Sequence, residues 1–297
     1  MSVLINSKQN RRKFLSTTMA GLGAMTVLKS SYSSADEAKS TKWAFLSDIH
    51  VPRDPSNEYR GFRPFDNMKK AVAEVIASDV EGALITGDLA RLEGFAGDYA
   101  ALKNLSAPLV EKMPLGMALG NHDHRGNFRN AFKEYPGTNH KPGGKHVLVI
   151  EQPQARFILL DSMLFSNRVS GLIGKAQRNW LREYLRGADE RPTILFFHHD
   201  LGDSDGALLD ADRLFSIIVP SRKVKAIVYG HSHAWNIQER FGIQMINLPA
   251  VAYNFSDSQP IGWMEVDMDT QGAQFTMHAI GGNMDMNGQV TKLAWRS

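Results

Sequence analysis

Acidic, amide and imidazole side chains occur in five short blocks of the sequence, and each block directly follows a run of apolar residues. The blocks are Asp48-Ile49-His50, Gly87-Asp88, Gly120-Asn121-His122-Asp123, His198-His199 and Gly230-His231-Ser232-His233. First-row metal ions accept these ligand types when no thiolate is available, and the chain contains no cysteine. In an extended backbone, side chains two residues apart lie on the same side, which would align both ligands of the first block and both histidines of the last. The blocks therefore predict a metal site, with Gly87 and Gly120 permitting close approach of the backbone.

The apolar runs before the blocks predict buried strands that end in loops. We expect strands at residues 43–46, 83–86, 115–119, 146–150, 156–160, 193–197 and 224–229, with helices at 65–78 and 175–185. Three closing segments, at 245–248, 262–267 and 274–278, are typical of antiparallel strands. In open α/β sheets, ligands bind beyond the carboxyl ends of the strands. The five loops are therefore expected to converge within one catalytic domain.

In this order, the five blocks resemble those of the calcineurin-like metallophosphoesterases, and the resemblance covers about residues 43–235. It implies a four-layer α/β/β/α sandwich of the metallo-dependent phosphatase type, which we expect to span residues 41–297, and a two-metal centre. The side chains that it assigns to metal binding are Asp48, His50 and His233 for the first metal, Asn121, His198 and His231 for the second, and Asp88 as a bridge. The resemblance also implies that His122 lies near the phosphate, stabilising charge or protonating the leaving oxygen, with Asp123 orienting its imidazole.

This ligand set suits phosphate ester hydrolysis, which needs hydroxide at neutral pH and neutralisation of charge on the phosphoryl oxygens. Two metals about 3.5–4 Å apart supply both. We therefore predict a metal-dependent phosphoric ester hydrolase in which a metal-bridging hydroxide attacks a phosphate ester, with a diester favoured over a monoester. Two alternatives stay open: a phosphomonoesterase, and a non-catalytic exported metal-binding protein on the same fold.

Two positions depart from the family pattern. Many members carry a further acidic residue three positions after the bridging aspartate, and purple acid phosphatases carry a tyrosine there, whereas this chain has Arg91. A tyrosinate-bound ferric centre is therefore not expected, and the metal pair is predicted to come from Mn, Fe and Zn. After His198-His199 the chain continues with Asp200-Leu201, where cyclic-nucleotide phosphodiesterase-like members often have two prolines. This loosens the assignment of the substrate.

The first 35 residues contain Lys8, Arg11, Arg12, Lys13 and Lys29 and no acidic residue. Arg11-Arg12 followed by Phe14-Leu15, a mildly apolar run and small residues at 33–35 resemble a bacterial twin-arginine signal peptide. We therefore expect residues 1–35 to engage the twin-arginine export machinery, and the mature protein to be periplasmic or secreted. The alternatives are a basic N-terminal tail and a membrane anchor, although the apolar run is about half the roughly 20 residues that a membrane span needs.

Export also changes the charge of the chain. Without the five basic residues of the signal, Lys plus Arg falls from 34 to 29 against 31 acidic residues, so the mature chain is slightly acidic. Such a chain lacks the basic surface that nucleic acid requires, and no nucleic-acid partner or stable membrane anchor is expected. A DNA-processing nuclease, which would suit the same metals, is disfavoured for the same reason.

Several residues lie close to the blocks without belonging to the predicted ligand set. Structural roles are favoured for His124 and His199, which adjoin ligand positions, and structural or exposed positions for His140, His146 and His278. One of Arg53, Arg60, Arg63 and Arg125 could grip the substrate phosphate, although a solvated position is favoured for each. Tyr253 and Asn254 could line the pocket, but the local sequence favours a turn.

Overall fold

The computed structural model describes residues 3–5, 40–133, 140–145 and 147–297, so most of the predicted signal lies outside the described residues. The strands are β1 Val3–Ile5, β2 Thr41–Leu46, β3 Gly82–Ile85, β4 Leu115–Met117, β5 Leu148–Glu151, β6 Arg156–Leu159, β7 Thr193–Phe196, β8 Val224–Tyr229, β9 Asn236–Arg240, β10 Ile243–Asn247, β11 Pro260–Met268, β12 Gly272–Gly282 and β13 Val290–Ala294. The helices are α1 Pro64–Ala77, α2 Ala96–Lys112, α3 Arg125–Ala131, α4 Lys175–Gly187 and α5 Ala211–Ile218, with short 3-10 turns at Pro142–Gly144 and Met284–Met286.

The strands form two mixed sheets. The seven-stranded sheet has the order β1-β4-β3-β2-β11-β12-β13, and the six-stranded sheet has the order β5-β6-β7-β8-β10-β9. Strands β2, β3 and β4 are parallel to one another, as are β6, β7 and β8. Each sheet therefore contains three neighbouring parallel strands whose carboxyl ends lie at the same edge of that sheet.

Successive side chains of each strand point to opposite faces of its sheet, so the core consists of three layers of side chains. In β2, Ala44 and Leu46 pack under α1 and α2, whereas Trp43 and Phe45 point between the two sheets. The outer face of the second sheet packs under α4 and α5, for example through Leu195. Because both faces of both sheets are covered, the architecture is helix, sheet, sheet, helix, and the predicted sandwich is confirmed.

Some elements differ from the sequence-based prediction. Helix α2 was not predicted, because its apolar residues do not form a clear stripe and Pro108 lies inside it. Strand β10 was expected to be antiparallel, but it pairs in parallel with β8 and antiparallel with β9. Phe241 and Gly242, both with positive φ, make the tight turn between β9 and β10. This hairpin reverses the chain, so that β10 runs in the same direction as β8.

Among the described residues, no helix is both long enough and apolar enough to cross a membrane.

Because of the aromatic cluster between the sheets, we expect removal of a buried phenylalanine ring to destabilise the fold far more than removal of an exposed one. The Phe196 ring lies 5.0 Å from that of Phe45 and 5.5 Å from that of Phe157, both edge-on. Phe196→Ala should lower the free energy of unfolding in urea by about 3–5 kcal/mol, because the cavity lies between two rigid sheets. Phe241→Ala, at a position that is 58% exposed, is the matched control and should cost less than about 1 kcal/mol. Equal losses for the two variants would contradict this account of the core.

Candidate metal centre

The five blocks lie on the loops that follow β2, β3, β4, β7 and β8, at the carboxyl ends of the parallel strands. Backbone hydrogen bonds tie neighbouring loops together beyond the last ladder pair. Asp48 N donates to Gly87 O at 3.1 Å, His50 N to Asp88 O at 2.9 Å, and Gly230 N to His198 O at 3.0 Å. His231 N donates to Asp48 Oδ2 at 3.0 Å and joins the loops of the two sheets, and His122 N donates to Asp88 Oδ1 at 2.9 Å and joins the loop after β4. The predicted convergence therefore occurs, and the loops form one continuous floor.

The backbone at the paired ligands of the first and last blocks is not extended, although the sequence-based prediction assumed that it was. Strand β2 ends at Leu46, and both Asp48 and His50 have left-handed backbone, with φ of 50° and 40°. His231 and His233 also have positive φ, at 73° and 55°. Left-handed backbone at a residue other than glycine costs about 1–2 kcal/mol. The chain therefore turns sharply at these positions. The turns bring Asp48 and His50 to the first cluster, and they send His233 to that cluster and His231 to the second.

Two glycines are required by the close packing of the floor. A Cβ on Gly120 would collide with the backbone N and Oδ1 of Asp88, and a Cβ on Gly230 would collide with Ser47 Oγ and Asp48 Oδ2. The carboxylates of Asp48 and Asp88 are thus held against bare backbone. Both glycines thus have a packing role beside a predicted ligand, and the sequence did not single out Gly230 for it.

Asp48, His50 and His233 form the first cluster, and all three are buried. His50 Nε2 lies 3.2 Å from His233 Nε2, and His233 Nε2 lies 3.3 Å from Asp48 Oδ1. Three side chains from two loops thus converge on one point.

Asp88, His198 and His231 form the second cluster. His198 Nε2 lies 3.3 Å from Asp88 Oδ2 and 3.3 Å from His231 Nδ1. Asn121 joins them, with its Oδ1 at 3.2 Å from His198 Nε2. Asp88 Oδ2 is also 3.6 Å from His50 Nε2 in the first cluster, so one carboxylate oxygen lies between the two clusters.

Hydrogen bonds behind two rings of the first cluster determine which ring nitrogen faces the centre. His50 Nδ1 donates to Arg91 O at 3.1 Å, and His233 Nδ1 donates to Tyr253 O at 2.6 Å. A carbonyl oxygen only accepts, so in each neutral ring the proton is on Nδ1 and the lone pair is on Nε2. These two Nε2 atoms face each other at 3.2 Å. A metal ion between them would accept both lone pairs, and backbone carbonyls behind the rings are the usual orienting partners of metal-binding histidines.

The pKa shifts divide the buried groups of the two clusters into neutral rings, one charged ring and ionised carboxylates. Burial lowers the pKa of His50 to about 3 and, with help from His198, that of His231 to about 4, so both rings are neutral ligands near pH 7. Burial opposes the charged form of His198, yet Asp88 and Asp48 raise its pKa to about 9. Burial also opposes ionisation of the two carboxylates, but His233 and His198 lower the pKa of Asp48, and His198 lowers that of Asp88. Two buried carboxylates that stay ionised attract positive charge strongly, and the donor set fits a pair of metal ions.

His122 lies beside the first cluster. Its backbone N donates to Asp88 Oδ1 at 2.9 Å, its Nδ1 donates to Leu92 O at 2.8 Å, and its ring centre is 5.4 Å from that of His50. His122 is therefore adjacent to the first cluster, and its position near the phosphate stays a prediction. Nε2 is the nitrogen that this arrangement leaves for a ligand.

Asp123 does not orient His122 as expected. Its carboxylate accepts hydrogen bonds from the backbone N of Gly120, Leu89 and Ala90 and from the Tyr99 hydroxyl. Burial, together with Asp88, raises the pKa of Asp123 to about 6. Asp123 is thus a positioning residue that joins the loops after β3 and β4, and the Leu92 carbonyl takes the role predicted for it. The sequence could not reveal this, because a carbonyl acceptor leaves no mark on residue type.

The histidines outside the predicted ligand set have structural positions. The His124 ring accepts from Asn127 N at 3.1 Å and caps α3. His199 is buried, its Nδ1 lies 2.7 Å from Ser162 Oγ, and its ring packs 5.1 Å from that of His231. His278 stacks on Trp263, and His140 packs on Trp180. His146 lies outside the described residues.

The arginines near the blocks are engaged with protein groups. Arg125 makes a two-pronged contact with Asp161, Arg63 pairs with Asp66, and the Arg53 guanidinium lies over the Phe95 ring. Arg60 donates to the carbonyls of Asn254 and Phe255.

Tyr253 is the site residue that sequence reasoning underestimated. It was assigned to a turn, but its ring stacks at 5.0 Å on that of His50 and lies 4.7 Å from that of His233. Ser47 was not singled out, yet its hydroxyl donates to Asp48 Oδ2 and accepts from Thr86 Oγ1. Ser47 could have been suspected from its place directly before a ligand.

Comparison with known proteins agrees with this geometry. The model of the calcineurin-like phosphoesterase family matches residues 41–235. The chain is 28% identical over 244 residues to a Haemophilus influenzae protein named a 3',5'-cyclic adenosine monophosphate phosphodiesterase, covering 77% of this chain and 85% of the relative. An Escherichia coli protein of the same name is 24% identical over 253 residues, covering 78% and 86% of the two chains.

Solved structures share the fold at low sequence identity. A dimetal phosphatase from Danio rerio superposes with a TM-score of 0.65 at 14% identity, covering 86% of this chain and 99% of the other. A purple acid phosphatase from yellow lupin (Lupinus luteus) gives a TM-score of 0.62 at 15% identity, covering 87% and 54%. The family match spans well over half of the chain and includes all five ligand blocks. The chain belongs to the calcineurin-like phosphoesterase family and is a metal-dependent phosphoester hydrolase.

Proposed function

We propose that this protein is an exported phosphodiesterase with a dinuclear metal centre. The observation that carries the proposal is the position of Asp88, whose Oδ2 lies 3.6 Å from His50 Nε2 in one cluster and 3.3 Å from His198 Nε2 in the other. Asp88 is therefore assigned as the shared ligand. The first metal is assigned to Asp48, His50 and His233, and the second to Asn121, His198 and His231.

The residues around the centre divide the work of hydrolysis. Two bound metal ions supply water activation at neutral pH and neutralise the charge of the phosphoryl group. His122, held through Nδ1 by Leu92 O, presents Nε2 for a hydrogen bond or a proton to the leaving oxygen. Asp123 keeps the loop of His122 fixed against the loop of Asp88. Backbone carbonyls fix the rings of His50, His122 and His233, so these rings need little reorganisation when substrate binds.

The metal assignment predicts a content near two Mn, Fe or Zn ions per chain. Elemental analysis of protein purified without added metal would identify the ions, and chelation should lower the thermal midpoint by removing bound cations from the folded state.

Asp88→Asn should reduce the metal content and lower kcat by at least about 100-fold, since loss of even an outer partner of a ligand costs about 10–100-fold.

The control is Asp212→Asn, at a side chain that is 91% exposed on α5, which should retain both metals. A wild-type content of one ion per chain or fewer, measured with metal in excess, would contradict the dinuclear assignment.

The diester preference is supported by the relatives named as cyclic nucleotide phosphodiesterases. We expect the metal-loaded protein to hydrolyse bis-p-nitrophenyl phosphate with a higher kcat/KM than p-nitrophenyl phosphate. His122→Ala should lower kcat on the diester by about 100-fold or more, because it removes the proton donor, while the circular dichroism spectrum stays that of the wild type. A clear preference for the monoester would reverse this assignment, and a metal-replete wild type without turnover would favour a binding protein.

Export is proposed from the twin arginines of the N-terminal sequence and the acidic balance of the rest of the chain. Replacing Arg11 and Arg12 by lysine preserves the charge but should leave the precursor unprocessed in the cytoplasm, because the arginine pair itself is the signal. Lys13→Arg is the matched control and should be exported. Fractionation followed by N-terminal sequencing measures both, and equal export of the double variant and the wild type would refute a twin-arginine route.

A further inference from the structure

Three aromatic rings line one side of the first metal cluster, and together they are called the aromatic wall: Tyr59, Tyr253 and Phe255. Tyr253 is buried against His50, whereas the Phe255 ring lies 4.5 Å from that of His233 and is 52% exposed. Tyr59 packs edge-on against Tyr253 at 4.8 Å and is 41% exposed. The wall therefore begins at metal ligands and ends in solvent.

Two arginines hold the wall in place. Arg60 Nε donates to Asn254 O at 2.8 Å and its Nη2 to Phe255 O at 3.1 Å, which joins the loop after β2 to the loop before β11. The Arg91 guanidinium lies 4.9 Å from the Tyr59 ring and 5.5 Å from the Tyr253 ring. Its Nε donates to Asn57 at 2.9 Å. Exposed rings supported in this way keep their orientation without a ligand, so little entropy is lost when a ligand binds.

The chemistry of the wall matches a flat aromatic group carried by an anion. Aromatic faces stack on planar rings largely without regard to ring identity. The two guanidinium groups place positive charge beside the ring surface, where an anionic ester approaches. The wall exposes only two half-exposed rings, surrounded by the exposed charged residues Glu58, Arg60 and Asp257. Its exposed apolar area is much smaller than the roughly 800 Å² that each partner of a stable protein interface buries. A small ligand therefore suits the wall better than a protein partner.

We propose that the aromatic wall is a substrate subsite that stacks a planar aromatic group, such as a nucleobase or an aryl group, while the phosphate lies at the metal clusters. This rests on the proposed function and names its substrate class: phosphate esters with an aromatic ring a few bonds from phosphorus. Phe255 is the specificity-determining residue, because it is both the most exposed ring of the wall and in contact with His233. Tyr59 supplies the second exposed surface.

The kinetic test compares variants on esters with and without a ring. Metal-loaded wild type, Phe255→Ala, Tyr59→Ala and Phe255→Tyr would be assayed on a 3',5'-cyclic purine nucleotide, on bis-p-nitrophenyl phosphate and on the alkyl diester glycerophosphocholine. For Phe255→Ala, the ratio of kcat/KM on each aromatic ester to that on the alkyl ester should fall about 10-fold, since one base stack contributes about that much. The loss should appear as a higher KM on the aromatic esters. The ratio for Phe255→Tyr should equal that of the wild type, because tyrosine keeps an aromatic face.

Phe241→Ala is the matched control, because its ring is 58% exposed and packs on Phe215 instead of the site. Its ratio should equal that of the wild type. An effect on the nucleotide alone would assign the subsite to nucleobases, and an effect on both aromatic esters would assign it to planar rings in general. Equal loss on aromatic and alkyl esters, or no loss on any, would overturn the proposal.

A binding measurement separates this inference from the proposed function. Saturation-transfer NMR on the metal-loaded protein should show contact with adenosine but not with ribose, and the adenosine signal should fall several-fold in Phe255→Ala. If the wild type hydrolyses no ester, the proposed function fails while this binding result still decides the subsite. If the wild type hydrolyses diesters but adenosine and ribose give equal signals, only the subsite is refuted.

Discussion

The whole site depends on two imidazole lone pairs that face each other at 3.2 Å, on His50 and His233. Each ring is held in that tautomer by a backbone carbonyl behind it, from Arg91 and from Tyr253. A metal ion between them would accept both lone pairs, and the buried carboxylates of Asp48 and Asp88 add negative charge that attracts it. The rest of the fold supplies what is needed to keep these groups together: a rigid floor, strained turns and closely packed glycines.

The two-sheet architecture stabilises the unfavourable backbone conformations at the ligand positions. Parallel strands of both sheets end at one edge, and the layer of aromatic side chains between the sheets fixes their separation. Left-handed backbone at Asp48, His50, Asp88, His231 and His233 is unfavourable locally, and it persists because the flanking strands are buried on both faces. Strain of this kind concentrated at ligand positions is what a preorganised metal centre requires.

The positions that depart from the family pattern have defined roles in the structure. The carbonyl of Arg91 orients His50, and its guanidinium lies between two rings of the aromatic wall. Asp200 accepts hydrogen bonds from Gly202 N and Ser204 Oγ and so closes the loop after His199. The departures therefore lie beside the centre, while every predicted ligand is present in the two clusters or, for Asn121, in contact with one.

By itself, the sequence determined the strands that precede the five blocks, the layered α/β class and the family, because these depend on local apolar runs and on the order of residue types. It also determined which side chains could bind metal, since without cysteine only histidine, carboxylate and amide ligands remain. Only the tertiary structure decided that β10 runs parallel to β8, that Asp123 joins loops instead of orienting His122, and that Tyr253 stacks on His50. Those outcomes depend on backbone carbonyls, left-handed turns and ring contacts between segments far apart in the chain, and such contacts leave no periodic or compositional trace in any one segment.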